Sequence, residues 1–167
     1  MKRPMTPYGY AVMRRELRKL KAMRPELAHA IEVARANGDL KENADYHAAK
    51  DKSGMVEAKI RDYETKLSVA EVIDTSKSRE AGRVVFGAEV KIEDLDSGAE
   101  RTVTIVGADE TDTSKGYISF ESPFGRALIG KELGDVAKVI APGGAREYEI
   151  MDVTYLDWES KAKEVES

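Results

Sequence analysis

The chain has 167 residues, 41% hydrophobic, 35% charged and 7% aromatic, with 13 Gly, 5 Pro and no Cys. This composition suits one soluble globular domain or two small ones, and the lack of cysteine excludes disulfides, thiolate nucleophiles, Fe–S clusters and Cys-based zinc sites. Any metal must be held by carboxylates or by His29 and His47, the two histidines. Met1 is followed by Lys2, Arg3 and Pro4 without an apolar h-region, and no run of 18 apolar residues occurs, so a cytoplasmic protein without a membrane span is expected.

A net charge of −4 argues against coating duplex nucleic acid by charge alone. The charge is unevenly placed. Residues 1–75 carry 15 basic and 12 acidic side chains, whereas 76–167 carry 12 and 19. Two modules with different partners are expected.

Thr6-Pro7 marks a helix start. From there Tyr10, Met13, Leu17, Leu20, Leu27, Ile31 and Ala34 recur at spacings of three and four, with Arg24 filling the one gap. Tyr46, Ala49, Ser53, Val56, Ile60, Tyr63, Leu67 and Ala70 follow the same rule. Both runs have the heptad of a coiled-coil seam. Pro25 is expected to kink or restart the first helix, and Gly54 to mark a close crossing in the second. The segment from Ala36 to Ala44 allows only a reversal, which makes an antiparallel hairpin. Twenty-five helical residues give a rod of about 37 Å, and its tip carries acids. Basic residues near the base are expected to face Asp62, Glu64, Glu71 and Asp74.

Residues 75–83 are polar and read as a linker. Beyond them the period becomes two. Val90 and Ile92, then Val103 and Ile105, predict strands around an Asp96-Ser97-Gly98 turn. Further strands are expected at 117–121, 136–141 and 146–155, the last two joined by Pro142-Gly143-Gly144, with one short helix from Pro123 to Ile129 ended by Gly130. The fold class is α+β: a long antiparallel helical coiled-coil hairpin, then a small antiparallel sheet domain with one short helix. The expected boundaries are 1–75 for the hairpin with its acidic tip at 38–45, 76–83 for the linker, 84–157 for the sheet domain and 158–167 for a charged tail that frays.

Asp39 and Glu42, three apart at the tip, admit two readings. Asp-x-x-Glu is a capping box for the second helix. The pair can equally supply two carboxylates to Mg²⁺, whose remaining shell would come from water and phosphate. Arg35, Lys41, Lys50 and Lys52 flank the tip and either contact an RNA backbone or form a solvated charged face. His47 is a surface histidine or a proton donor near the tip, and His29 is solvated. Asp109-Glu110-Thr111-Asp112 lacks the Gly and Glu of a calcium loop and reads as a solvated turn. Ser122 has no partner set for a nucleophilic triad.

The stretch Gly38-Asp39-Leu40-Lys41-Glu42-Asn43-Ala44-Asp45-Tyr46-His47-Ala48-Ala49-Lys50 resembles the tip signature of the bacterial Gre factors, the transcript cleavage factors of RNA polymerase. Ser122-Pro123-Phe124-Gly125-Arg126-Ala127-Leu128-Ile129-Gly130-Lys131, followed by Pro142-Gly143-Gly144, resembles their C-terminal domain. Met5-Thr6, Gly9 and Arg24-Pro25-Glu26 also match, so the likeness spans about residues 5–156. Leu40-Lys41 and His47-Ala48-Ala49 favour the GreA type over the GreB type.

The resemblance implies an FKBP-like C-terminal domain docked at the rim of the polymerase secondary channel, with the coiled coil inserted towards the active centre. Asp39 and Glu42 would hold the second Mg²⁺ together with the polymerase and orient the attacking water, so that the factor stimulates cleavage of backtracked RNA without being an enzyme itself. Arg35 and Lys50 would face the RNA 3′ end. Ser122, Pro123, Phe124, Leu128 and Ile129 would belong to the docking surface. The expected partners are RNA polymerase and the nascent RNA, with no membrane, and the protein itself is expected to be monomeric. The alternatives are a channel regulator that does not promote cleavage, a prolyl isomerase suggested by fold alone, and a coiled-coil scaffold.

Overall fold

The computed structural model describes residues 2–38, 43–75 and 82–166. Asp39, Leu40, Lys41 and Glu42, and with them most of the expected tip, lie outside the described residues, as do 76–81 of the expected linker. Contacts divide the chain into a helical unit, Val12–Val69, and a sheet unit made of Met1–Ala11 and Ala70–Ser167. By contacts, residues at both ends of the expected first module group with the sheet unit.

The helical unit contains most of α1 (Pro7–Ala22), then α2 (Arg24–Arg35) and α3 (Ala44–Ser68). Pro25 restarts the helix as expected: α1 stops at Ala22, and α2 begins with proline in its first turn, where a missing N–H costs nothing. α3 runs antiparallel to the end of α1 and to α2, as three cross-helix pairs fix. Lys21 Nζ meets Glu64 at 3.6 Å, Arg24 forms a two-pronged pair with Glu57 at 2.9 Å, and the Asn43 side-chain amide donates to the Ala34 carbonyl.

Leu27, Val56 and Ile60 form the buried centre of this pair, with Leu17, Leu20 and Met23 packed against it. The remaining heptad positions from 46 to 67 are half-buried, while Arg24, the break in the pattern, is exposed and paired with Glu57. Two expectations fail here. Ala70 has left the helix for a strand, and Gly54 is exposed with nothing within 4 Å of a built Cβ, so no close crossing occurs there. Glu64 meets the base as expected, whereas Asp62 pairs with Lys66 on its own helix.

The sheet unit opens with β1 (Arg3–Met5), which pairs in parallel with β2 (Ala70–Val72), a contact that the sequence pattern did not suggest. Five further strands follow: β3 (Ala88–Asp94), β4 (Glu100–Val106), β5 (Tyr117–Ser119), β6 (Val136–Ala141) and β7 (Gly144–Tyr155), in the order β5-β4-β3-β7-β6. The sheet is mixed rather than antiparallel throughout, because β5 lies parallel to β4. A strand returning parallel needs a crossover, here the two 3₁₀ turns at 108–110 and 113–115. β5 also ends at Ser119, since Ser122 begins a helix cap. The register of β3 against β7 shifts by one residue between Lys91 and Ile92, bending the long strand.

Alternation places Ala88, Val90 and Ile92 with Val103, Ile105, Ala137, Val139 and Ile150 in one core, closed by Leu128 of α4 (Pro123–Leu128). Gly130, at φ +88°, ends this short helix as expected. The tail does not fray: Trp158–Glu166 form α5, with the Asp157 carboxylate accepting from the Ser160 N–H and hydroxyl, and Trp158 fully buried. Among the described residues no helix is long and apolar enough to cross a membrane.

Candidate functional site

At the far end of the helical pair the residue that organises the backbone is Asn43. Its backbone is extended, and its side-chain oxygen accepts from the Tyr46 N–H at 3.0 Å, which caps α3. Its amide also reaches the carbonyl of Ala34 in the last turn of α2, which accepts from the Asn37 N–H at 3.2 Å as well. One side chain therefore caps α3 and ties the end of α2 to its start. α3 accordingly begins at Ala44, and its cap position is filled without Asp39. The capping role that Asp39-x-x-Glu42 offered at this helix is taken by another residue. Asn43 was missed because Asp-x-x-Glu is the more conspicuous pattern, although Asn directly before Ala-Asp-Tyr was a usable signal.

Around this end, Arg35 is exposed at the last position of α2. Lys50 is exposed on α3, with its Nζ 5.7 Å from the Tyr46 ring centre. Tyr46 also meets the His47 ring edge-on at 5.6 Å. Arg35 and Lys50 thus leave exposed positive charge at the end of the helical pair where the sequence carries Asp39 and Glu42. Among the described residues no three His, Asp or Glu side chains converge as a metal site.

In the sheet unit the expected docking residues fall into two kinds. Ser122 caps α4, accepting from the Gly125 N–H at 3.1 Å while donating to the Ser119 carbonyl at 2.7 Å. Pro123 is exposed at the first turn, and Ile129 is 38% exposed just past its end. Phe124 is half-buried, 5.1 Å from the Tyr148 ring and capped by the Arg101 guanidinium at 4.8 Å. Leu128 corrects the expectation: it is 0% exposed within the core, so it supports this face and offers no surface to a partner. Beside Phe124 lies a concavity of about 280 Å³, whose wall includes Arg101, Arg146 and Tyr148. Arg146 is held there by Asp94 at 2.7 Å; the Asp96 N–H and then this guanidinium keep the Asp94 carboxyl below the usual range.

The 109–112 turn is also corrected. Asp109 forms a two-pronged pair with Arg3, and Asp112 caps Ser114 at 3.0 Å. Glu110 is partly buried and accepts from the Thr6 N–H, the Thr6 hydroxyl and the Gly107 N–H. Thr6 in turn caps α1, accepting from the Gly9 N–H at 3.0 Å. Gly9 cannot carry a side chain beside this carboxylate, since a Cβ would lie 1.9 Å from Glu110 Oε1. Burial pushes the Glu110 pKa up, against the opposing pull of Thr6 and Gly107. No local pattern joins positions about a hundred residues apart, so the turn looked merely polar in sequence.

With this geometry in place, comparison with known proteins is direct. Residues 3–72 match the family model described as "Transcription elongation factor, N-terminal", and residues 79–155 match "Transcription elongation factor, GreA/GreB, C-term". The chain belongs to the GreA/GreB family of transcription elongation factors. Curated relatives agree: it is 53% identical to the transcription elongation factor GreA of Ralstonia nicotianae, over 92% of this chain and 98% of that one. It is 52% identical to that of Methylococcus capsulatus, over 93% and 99%. A solved structure, the GreA factor homolog 1 of Thermus thermophilus, aligns over 92% of this chain and 99% of its own at 26% identity, with a TM-score of 0.42. In GreA/GreB terms, Asn43 and Asp39 to Glu42 lie in the N-terminal match, Ser122 to Ile129 in the C-terminal one, and α5 beyond both.

Proposed function

We propose that this GreA-family chain is a cytoplasmic, monomeric elongation factor that binds bacterial RNA polymerase and stimulates cleavage of the 3′ end of backtracked RNA, thereby rescuing arrested complexes. It acts through the polymerase and is not an enzyme alone. The observation that carries this reading is the match of both halves of the chain to the GreA/GreB family, with Arg35 and Lys50 exposed at the end of the helical pair whose sequence runs on through Asp39 and Glu42.

In this reading the antiparallel helical pair is a coiled-coil hairpin that enters the secondary channel. The sheet unit is an FKBP-like docking domain, presenting Pro123, Phe124 and Ile129 at the channel rim. Two carboxylates fit Mg²⁺, a hard ion that takes oxygen ligands and commonly uses only one or two from protein. Held jointly with the polymerase, Mg²⁺ would supply Lewis acidity and lower the pKa of a bound water. Asp39 and Glu42 orient that water, and Arg35 and Lys50 face the RNA phosphates with opposite charge. The isolated protein holds no Mg²⁺ tightly, because two carboxylates complete less than half of an octahedral shell.

The alternative, a secondary-channel regulator that does not promote cleavage, is separated by one assay. Purified wild-type protein is added to a backtracked elongation complex with labelled RNA. Faster release of short 3′ fragments supports the proposal; binding without any change in cleavage rate transfers the protein to the alternative class.

A further inference from the structure

α5 lies beyond the residues that match the family models, yet it is anchored in the sheet unit through buried Trp158. Its buried and half-buried positions, Trp158, Lys161, Ala162 and Val165, recur at helical spacing. Trp158, the protein's one tryptophan, is 0% exposed. Its indole N–H donates to the Gly87 carbonyl at 2.9 Å. The Tyr8 and Tyr117 rings stand 6.2 and 6.0 Å from it, and Lys115 Nζ lies over both tyrosines at 5.6 and 5.9 Å. Gly87 is at φ +86°, and a Cβ there would come within 2.9 Å of the indole nitrogen and 3.1 Å of Thr75 Oγ1. Thr75 itself donates to the Phe86 carbonyl. Indole, two phenols, an ammonium and a backbone carbonyl therefore form one contact cluster within the sheet unit, in which the indole is the one fully buried side chain.

The position of the cluster along the chain gives it a role. The chain crosses into the helical unit between Ala11 and Val12 and returns between Val69 and Ala70. Tyr8 precedes the first crossing by one helical turn, and Thr75 follows the second. The start of α1 is held by Glu110 through Thr6 and by Trp158 through Tyr8.

We propose that α5 is an intramolecular clasp that keeps the first turn of α1 formed and seated on the sheet unit, with Trp158 as a positioning residue for the activity of the helical pair. When the clasp is open, this turn samples other conformations, and only the fraction that remains seated is competent. Apparent affinity for the polymerase falls by that fraction, while the rate at saturation is unchanged because the tip carboxylates are untouched. The activity readout rests on the proposed function; the structural readout does not.

The test compares the full-length wild type with Trp158→Ala, Trp158→Phe and a chain ending at Asp157. Amide exchange is followed at Gly9 and Tyr10, whose N–H groups are held by the Thr6 hydroxyl and carbonyl, and at Val90 and Val103 in the core. Exchange at Gly9 and Tyr10 is expected to approach that of unprotected amides in Trp158→Ala and in the shortened chain, since the turn is then open for most of the time, with Trp158→Phe intermediate and the core strands unchanged. In cleavage titrations the half-saturating concentration should rise about three- to tenfold, with the saturating rate retained. Unchanged exchange at Gly9 and Tyr10, or acceleration spread equally over the core, overturns the clasp. Faster exchange with an unchanged half-saturating concentration overturns the positioning role. If the wild type stimulates no cleavage, the proposed function falls, and exchange alone decides the clasp.

Discussion

Glu110→Ala is the most informative single substitution away from the tip. It removes the carboxylate that receives the Thr6 N–H, the Thr6 hydroxyl and the Gly107 N–H. Thr6 is 0% exposed, so water does not replace the lost acceptor. A buried group left without its partner costs about 1–3 kcal/mol. Three such groups, less the relief of no longer burying a carboxylate, give a loss of about 3 kcal/mol. In a cooperative unit of roughly a hundred residues, that corresponds to a fall in Tm of about 12 °C or more. Calorimetry at neutral pH measures it, and a loss below about 1 kcal/mol would refute the clamp. The pH dependence supplies an independent sign. Burial raises the folded-state pKa above the unfolded one, so the native state holds more protons through that interval. The stability contributed by Glu110 is full below the ordinary carboxylate range and declines as pH rises through and beyond it. The stability of the wild type relative to Glu110→Gln, which cannot titrate, should therefore fall as pH is raised from about 4 towards neutrality. A relative stability that grows over the same interval would mean that hydrogen bonding, rather than burial, dominates the site.

Two further substitutions test the helical unit. Asn43→Ala should cost about 2 kcal/mol by thermal melting, about 1 from the lost cap of α3 and about 1 from the lost bond to the Ala34 carbonyl. Asn43→Asp, which keeps the capping oxygen but not the donor, should recover about half of that. Ile60→Ala opens a cavity at a position 1% exposed and should cost about 2–5 kcal/mol in urea unfolding, whereas Met55→Ala, at 65% exposure on the same helix, should stay within about 0.5 kcal/mol.

The features legible in the sequence were the local ones. A repeat of three and four identified the buried side of α2 and α3 down to Leu27, Val56 and Ile60, because a helix carries burial into sequence at its own period. Alternation found inward residues of β3 and β4, Val90, Ile92, Val103 and Ile105, for the same reason. What escaped requires partners far apart in the chain: β1 beside β2, β5 parallel to β4, Arg3 on Asp109 and Thr6 on Glu110. The tail failed differently. Its charge suggested fraying, yet Trp158, Ala162 and Val165 at helical spacing, after an Asp157 cap, already described an amphipathic helix. Of the candidate site, the residue types were legible but not their duties. Asn43 took the cap that Asp39 seemed to offer, and Leu128 went to the core rather than to the surface.

The central claim, that Asp39 and Glu42 complete a Mg²⁺ site shared with the polymerase, is tested most directly by the Mg²⁺ dependence of RNA cleavage in a backtracked complex. The rate is measured with the wild type, Asp39→Asn, Glu42→Gln and no factor. The wild type should lower the Mg²⁺ concentration at half-maximal rate, and each neutral variant should return it to that of the polymerase alone. Variants that match the wild type across the whole titration would contradict the account.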